Sequence, residues 1–155
     1  MTGAIGFAPE EIDTSAPTRA AKLKWVVVVN EDLPPGLAAN AAICTAAATA
    51  PNIAGILGEG AEDADGFLHP GLPWAGCTVL VANAQTLRTI RAKAAAHEQT
   101  FVADMPAAAQ QTRVYDEYRA SVALSRADEI EYYAVSLVGP RNRVDRIIGH
   151  LPLLS

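Results

Sequence analysis

Trp25-Val26-Val27-Val28-Val29, continued by Asn30-Glu31-Asp32-Leu33-Pro34-Pro35-Gly36 and then by the alanine-rich stretch Leu37 to Ala50, is the segment on which the fold turns. A continuous β-branched run with no polar alternation suits a strand covered on both faces, so it reads as a central strand. The Asn, Asp, Pro and Gly residues after it form a turn, and strong helix formers follow until Pro51 ends the element. A strand-loop-helix unit results. Its helix is built almost wholly from small side chains, which predicts close approach to a sheet on more than one face.

Upstream, residues 1 to 22 mix Pro, Thr, Ser, Glu and Ala without a period, and read as an extended or partly helical arm before a single α/β domain over residues 23 to 155. Downstream, the Gly-, Pro- and acid-rich residues 58 to 76 predict a long loop, and Cys77 to Ala82 a second apolar strand. Leu87, Ile90, Ala94 and Ala95 recur at helical spacing across from Arg88, Arg91 and Lys93, predicting an amphipathic crossover helix over Gln85 to His97. Thr100 to Ala103 reads as a short strand running into Asp104-Met105-Pro106. Ala107 to Leu124 is helical in one or two pieces, and Tyr132 to Val138 is a fourth strand. Gly139-Pro140 then opens a last helix with Val144, Ile147 and Ile148 as its apolar stripe and Arg141, Arg143 and Arg146 facing solvent. Strands alternating with helices predict an α/β fold: a four-stranded mixed sheet flanked by helices.

The chain has 155 residues, enough for one sizeable core. Its longest strongly apolar run, Trp25 to Val29, is far short of the roughly 20 residues needed to cross a bilayer, so no membrane association is expected. Met1 to Ile12 lacks the pattern of a secretory signal, which makes the cytoplasm the expected compartment. A formal net charge of −5 without a basic cluster argues against gripping duplex nucleic acid, whose binding rests on phosphate neutralisation. Cys44 and Cys77 show no zinc or redox spacing and read as small apolar fillers, Cys44 keeping the alternative of a reactive thiol. The acidic run Glu59 to Asp65 reads as a solvated loop and departs from the calcium-hand pattern. His69, His97 and His150 are scattered, so neither a metal site nor a cofactor is expected.

Three segments, in order, resemble the type-two peptidyl-tRNA hydrolases: Lys24 to Leu33 with Gly36 and the helix bearing Cys44; Thr100-Phe-Val-Ala-Asp104; and Gly139-Pro140 with Gly149-His150-Leu151. The resemblance implies that family's fold over most of residues 24 to 154. It does not extend to the family's chemistry. The positions of its lysine pair, glutamine and histidine fall here on Leu37, Ala39, Ile43 and Ala46, and the Gly-Arg-Thr expected after its aspartate is replaced by Met105 to Ala109. Asp32-Leu33 with Gly36-Leu-Ala-Ala-Asn40, Tyr115-Asp-Glu-Tyr118 and Gly139-Pro140-Arg141 are more closely similar to a bacterial branch of that superfamily, the family of unknown function numbered two thousand, which brings no established activity.

Ligands of open α/β sheets sit beyond the carboxyl ends of strands, near helix N-termini. Asn30, Asp32, Asn40 and Asp104 are expected there, and Gly36 would let a ligand approach the backbone. Asp32 reads first as a turn or cap residue ahead of Pro34, and Asn40 equally as a ligand-orienting amide or a loop contact. Cys44 and Thr45 are the nucleophile candidates on the helix, though no histidine follows to activate either. Tyr115 and Tyr118 could line a pocket or simply pack. Asp104, Asn40 and Cys44 form the candidate catalytic set; Asn30, Asp32, Gly36, Thr45, Tyr115 and Tyr118 form the candidate ligand-binding set. The expected function is binding of, or action on, a small metabolite by a protein that has lost tRNA hydrolysis. The alternatives are an ester or amide hydrolase with a rearranged site, and a non-catalytic interaction module. Isologous homodimerisation suits any of them.

Overall fold

The computed structural model describes residues 4–155. Its frame is a mixed sheet of β1 (Leu23–Asn30), β4 (Thr78–Ala82), β5 (Phe101–Pro106) and β6 (Tyr132–Pro140) in the order β4-β1-β6-β5. β1 runs parallel to β4 and antiparallel to β6, and β6 is antiparallel to β5. The carboxyl ends of β1, β4 and β5 therefore share one end of the sheet. The valine run lies where its composition demands, between two paired neighbours, and Val26, Val28 and Val29 have no exposed surface. The long loop carries a small hairpin of its own, β2 (Ala61–Glu62) paired with β3 (Leu68–His69), which the sequence did not signal.

Helices cover both faces. α1 (Pro35–Thr49) lies on the face carrying Trp25, Val27, Ala134 and Val138, together with Phe7 from the arm and Ile53 and Ile56 from the segment after the helix. α2 (Ala84–Ala95) and α5 (Arg141–Ile148) lie on the opposite face, where Leu87, Ile90, Val144 and Ile147 meet Val26, Val28, Val135 and Leu137. Two short helices, α3 (Ala107–Gln111) and α4 (Tyr115–Ala123), follow the edge strand β5. The opposite edge, β4, is covered by the C-terminal tail: Val81 N donates to Pro152 O at 3.0 Å and Leu154 N to Val79 O at 3.0 Å.

Several details depart from expectation. α1 buries a single face, Ala38, Ala41, Thr45 and Thr49, and leaves Leu37 and Ile43 exposed. Both cysteines are exposed rather than packed as fillers, Cys44 on the outer side of α1 and Cys77 one residue before β4. Arg141 is not free in solvent; its guanidinium donates to Thr18 O and Ala21 O at 3.3 Å, tying α5 to the arm. Of that arm, Met1 to Gly3 lie outside the described residues. The remainder makes two single 3-10 turns and packs Phe7 against Trp74, with ring centroids 4.8 Å apart. Gly149 ends α5 at φ 59°, a conformation glycine adopts without steric cost.

A buried polar chain fastens α1 to the sheet. Trp25 Nε1 donates to Ser136 Oγ at 2.8 Å, the Ser136 and Thr49 hydroxyls are 2.7 Å apart, and Thr49 Oγ1 donates to Thr45 O at 2.7 Å. Ser136 and Thr49 have no exposed surface, so each polar atom needs a protein partner there and finds one.

Candidate functional site

Asp104 does not end its strand. β6 pairs with β5 as far as Pro106, and Asp104 lies opposite Val135, which is itself level with Val28 and Leu80. Those three side chains all point to the α2 face. Asp104 shares their row, and its Oδ2 accepts from Arg91 Nε of α2 at 3.1 Å. The Arg91 guanidinium in turn stands 6.0 Å from the centre of the Tyr132 ring. Phe101 and Met105, on the alternate positions of β5, turn instead to the α1 face.

Around this edge strand runs a groove of about 480 Å³, lined by Cys44 and Ala48 of α1, Asp104 and Met105 of β5, and residues of α3, α4 and their link, notably Tyr115 and Tyr118. Cys44 and Asp104 approach it from opposite faces of the sheet. The Tyr115 and Tyr118 rings stand 5.5 Å apart at 56°. Arg113, between α3 and α4, adds a cation to the wall. Burial pushes the Tyr118 hydroxyl above the usual tyrosine range, and the negative charge of Asp104 adds to the rise. Tyr132 is raised for the same first reason.

Asn40 lies one turn before Cys44, and its Oδ1 accepts from Gln110 Nε2 at 3.1 Å. The same Gln110 nitrogen donates to Leu37 O at 3.1 Å, so α3 is clipped to α1 just above the groove. Cys44 Sγ is 3.9 Å from Asn40 Oδ1. Gln110 and Arg113 were missed by the sequence reading. Neither sits in a motif, and only the fold of α3 back onto α1 gives them a place.

The other candidates lie elsewhere. Asn30 is buried and its Oδ1 accepts from Asp32 N at 3.0 Å, an Asx turn that shapes the loop after β1. Asp32 borders a shallow polar hollow at the start of α2 with Asn83 and Thr86, where Asn83 Oδ1 already caps the helix by accepting from Thr86 N at 2.8 Å. Gly36 is exposed in the first turn of α1, and a Cβ added there would meet nothing. Thr45 faces the core and donates to Ala41 O at 3.0 Å. The candidate set thus divides: Asn40, Cys44, Asp104, Tyr115 and Tyr118 gather about the edge groove, while Asn30, Asp32 and Gly36 belong to the β1–α1 loop and Thr45 to the interior.

What the groove can do chemically follows from its lining. Met105, Ala109, Val114 and two tyrosine rings make a partly apolar wall, and Asp104 and Arg113 bring opposite charges to it. Its lining contains no histidine, and Asp104 is held by Arg91 on the far face of the sheet, so among the described residues Cys44 has no base within hydrogen-bonding distance. Among the described residues, no cluster of His, Cys, Asp or Glu is arranged to hold a metal ion. None of the described helices is long and apolar enough to cross a membrane.

A protein of unknown function from Agrobacterium tumefaciens strain C58, Atu0240, has the same fold. It superposes with a TM-score of 0.80 over 86% of this chain and 98% of its own, at 18% sequence identity. No curated protein sequence matches the chain. The family described as a protein of unknown function (DUF2000) matches residues 23–155, from the first residue of β1 through the tail that covers β4. By that match, which spans the four-stranded sheet and helices α1 to α5, the chain belongs to the DUF2000 family.

Proposed function

We propose that this chain is a peptidyl-tRNA hydrolase-like protein that has lost tRNA hydrolysis and binds a small, partly apolar metabolite in the groove along β5. One observation carries the reading: Cys44, Asp104, Tyr115 and Tyr118, drawn from three elements, line a single cavity of about 480 Å³. That volume lies within the roughly 300–1,000 Å³ range of small-molecule sites, and an apolar wall with a few fixed polar groups is their usual composition. The tyrosine pair offers ring surface to a planar or apolar moiety, while Asp104 and Arg113 orient polar ends. Leu37, Ala39, Ile43 and Ala46 occupy the positions at which the resembling family keeps its lysines, glutamine and histidine, which supports loss of that activity.

The test is a thermal-shift screen of the full chain against a metabolite library, repeated on Cys44→Trp, which fills the exposed side of the groove. A compound that raises the melting temperature of the wild type and not of Cys44→Trp supports the reading. Hits that stabilise both proteins equally place the ligand elsewhere. Cleavage of peptidyl-tRNA by the wild type would overturn the claimed loss of hydrolysis and favour a rearranged hydrolase.

A second reading, self-association through α1, has its own observation. The outer side of this uncharged helix leaves Leu37 and Ile43 exposed, at 43% and 66%. If two copies meet there, Ile43→Lys converts a dimer to a monomer in sedimentation velocity; an unchanged sedimentation coefficient argues against it.

A further inference from the structure

Behind Asp104, on the α2 face, lies a second cavity of about 470 Å³ between α2 and the segment leading into β6, with Arg88, Arg91, Asp128 and Tyr132 in its walls. Arg88 and Arg91 are one helical turn apart, a spacing at which like charges repel. Each guanidinium is held by a single hydrogen bond among the described residues. Arg91 gives Nε to Asp104 at 3.1 Å, and Arg88 gives Nη1 to the backbone carbonyl of Asp128 at 3.2 Å. Arg88 Nε is enclosed and has no hydrogen-bond partner among the described residues. An enclosed N–H on a charged group without an acceptor is costly, so a second acceptor is expected at this position. The Asp128 carboxylate does not supply it; Asp128 Oδ1 is 3.6 Å from Arg126 Nε and both side chains are largely exposed. The Asp104 carboxylate pairs with Arg91 and is shared with the groove, and the Asp128 side chain also borders the cavity.

We propose that this cavity is a binding site for an oxyanion, the carboxylate or phosphate group of a small ligand, recognised by Arg88 and Arg91. Guanidinium groups present paired N–H donors in a planar fork that matches two oxygens of such a group. Turning Arg88 off the Asp128 carbonyl gives the anion Nε and a terminal nitrogen together. Arg91, seated over Tyr132 and held at Nε, offers its terminal nitrogens. Asp104 competes with the anion for Arg91, which links the site to the groove on the other side of β5. The proposal does not rest on a ligand in that groove.

The test uses the full chain, with inorganic phosphate in one arm and malonate in another, each against chloride at matched ionic strength. Melting temperature is expected to rise with the logarithm of anion concentration, by about 3–6 °C at ten times the dissociation constant. A response to phosphate alone identifies a phosphoryl ligand, and a response to malonate alone a carboxylate. Arg88→Gln is expected to abolish the response. Asp104→Asn, which frees Arg91, is expected to tighten binding roughly fivefold, and it carries the test if Arg88→Gln does not fold. No such rise with either anion in the wild type overturns the proposal. So does an equal rise in Arg88→Gln, or an Asp104→Asn affinity that is unchanged or weaker.

Discussion

The two faces of the sheet are held by different means. On the α2 and α5 face, large side chains such as Leu87, Ile90 and Leu137 interlock, and charged residues of the helices turn outward or pair at the rim. On the α1 face, the helix brings alanine and threonine, and its attachment runs through the chain Trp25, Ser136, Thr49, Thr45. A helix of small residues has few dispersion contacts to offer, so directional hydrogen bonds fix its position and rotation. The contrast shows why one side of this protein has an exposed, uncharged helix beside a groove while the other resembles an ordinary amphipathic layer.

Core truncation is the strongest way to break the comparison. Leu87→Ala on the α2 face is expected to cost about 2–5 kcal/mol, because a fully buried leucine leaves a cavity that the rigid sheet cannot close. Urea unfolding measures it, and a loss below about 1 kcal/mol would mean that this face is not packed as described. On the α1 face, Ser136→Ala removes an acceptor from Trp25 and a partner from Thr49, with an expected cost of about 1–3 kcal/mol. The same unfolding experiment decides whether the polar chain matters: no loss would leave α1 held by contact area alone.

A smaller effect sharpens the link between the faces. Tyr118 titrates above the ordinary tyrosine value of 10.0, first through burial and then through Asp104. Because the folded value is raised, this contribution to stability is complete below pH 10 and declines as pH climbs through the folded value. Ultraviolet titration should show a late tyrosinate component, shared with Tyr132, that shrinks in Tyr118→Phe. Asp104→Asn should bring that component partway back, since the burial cause remains. The smallest effect is expected at the outer side of α1, where Ile43→Lys should change stability by no more than about 0.5 kcal/mol. A large loss there would mean that this side is covered in solution.

Much of the architecture was legible where one physical demand dominated. The valine run could only be a covered strand, and the stripes Leu87, Ile90, Ala94 and Val144, Ile147, Ile148 could only be inward helix faces. α1 was different. In Gly36 to Ala50 the small residues are too alike to mark an inner side, so the helix was expected to pack on more than one face, and buried Thr45 was indistinguishable from a candidate nucleophile. Asp104 and Cys44 were both singled out, but a linear sequence does not show that they approach one groove from opposite faces of an edge strand. Gln110 escaped notice, and Arg88 was read only as part of the polar face of its helix, because their roles come from neighbours distant in the chain: Asn40 and Leu37 for one, Asp128 for the other.

The sequence by itself determined which segments become the four strands of the main sheet and the helices that flank it, and that together they form an α/β layer. Those properties are local, set by side-chain branching, turn residues and the identity of single positions. Only the tertiary structure decided the rest: which side of α1 faces water, that Asn30 and Thr45 serve the loop and the core, and that Asp104 pairs with Arg91 between two cavities. Such relations depend on the register of β5 against β6 and the rotation of helices on the sheet. Both are fixed by long-range hydrogen bonds and packing that no single stretch of the chain contains.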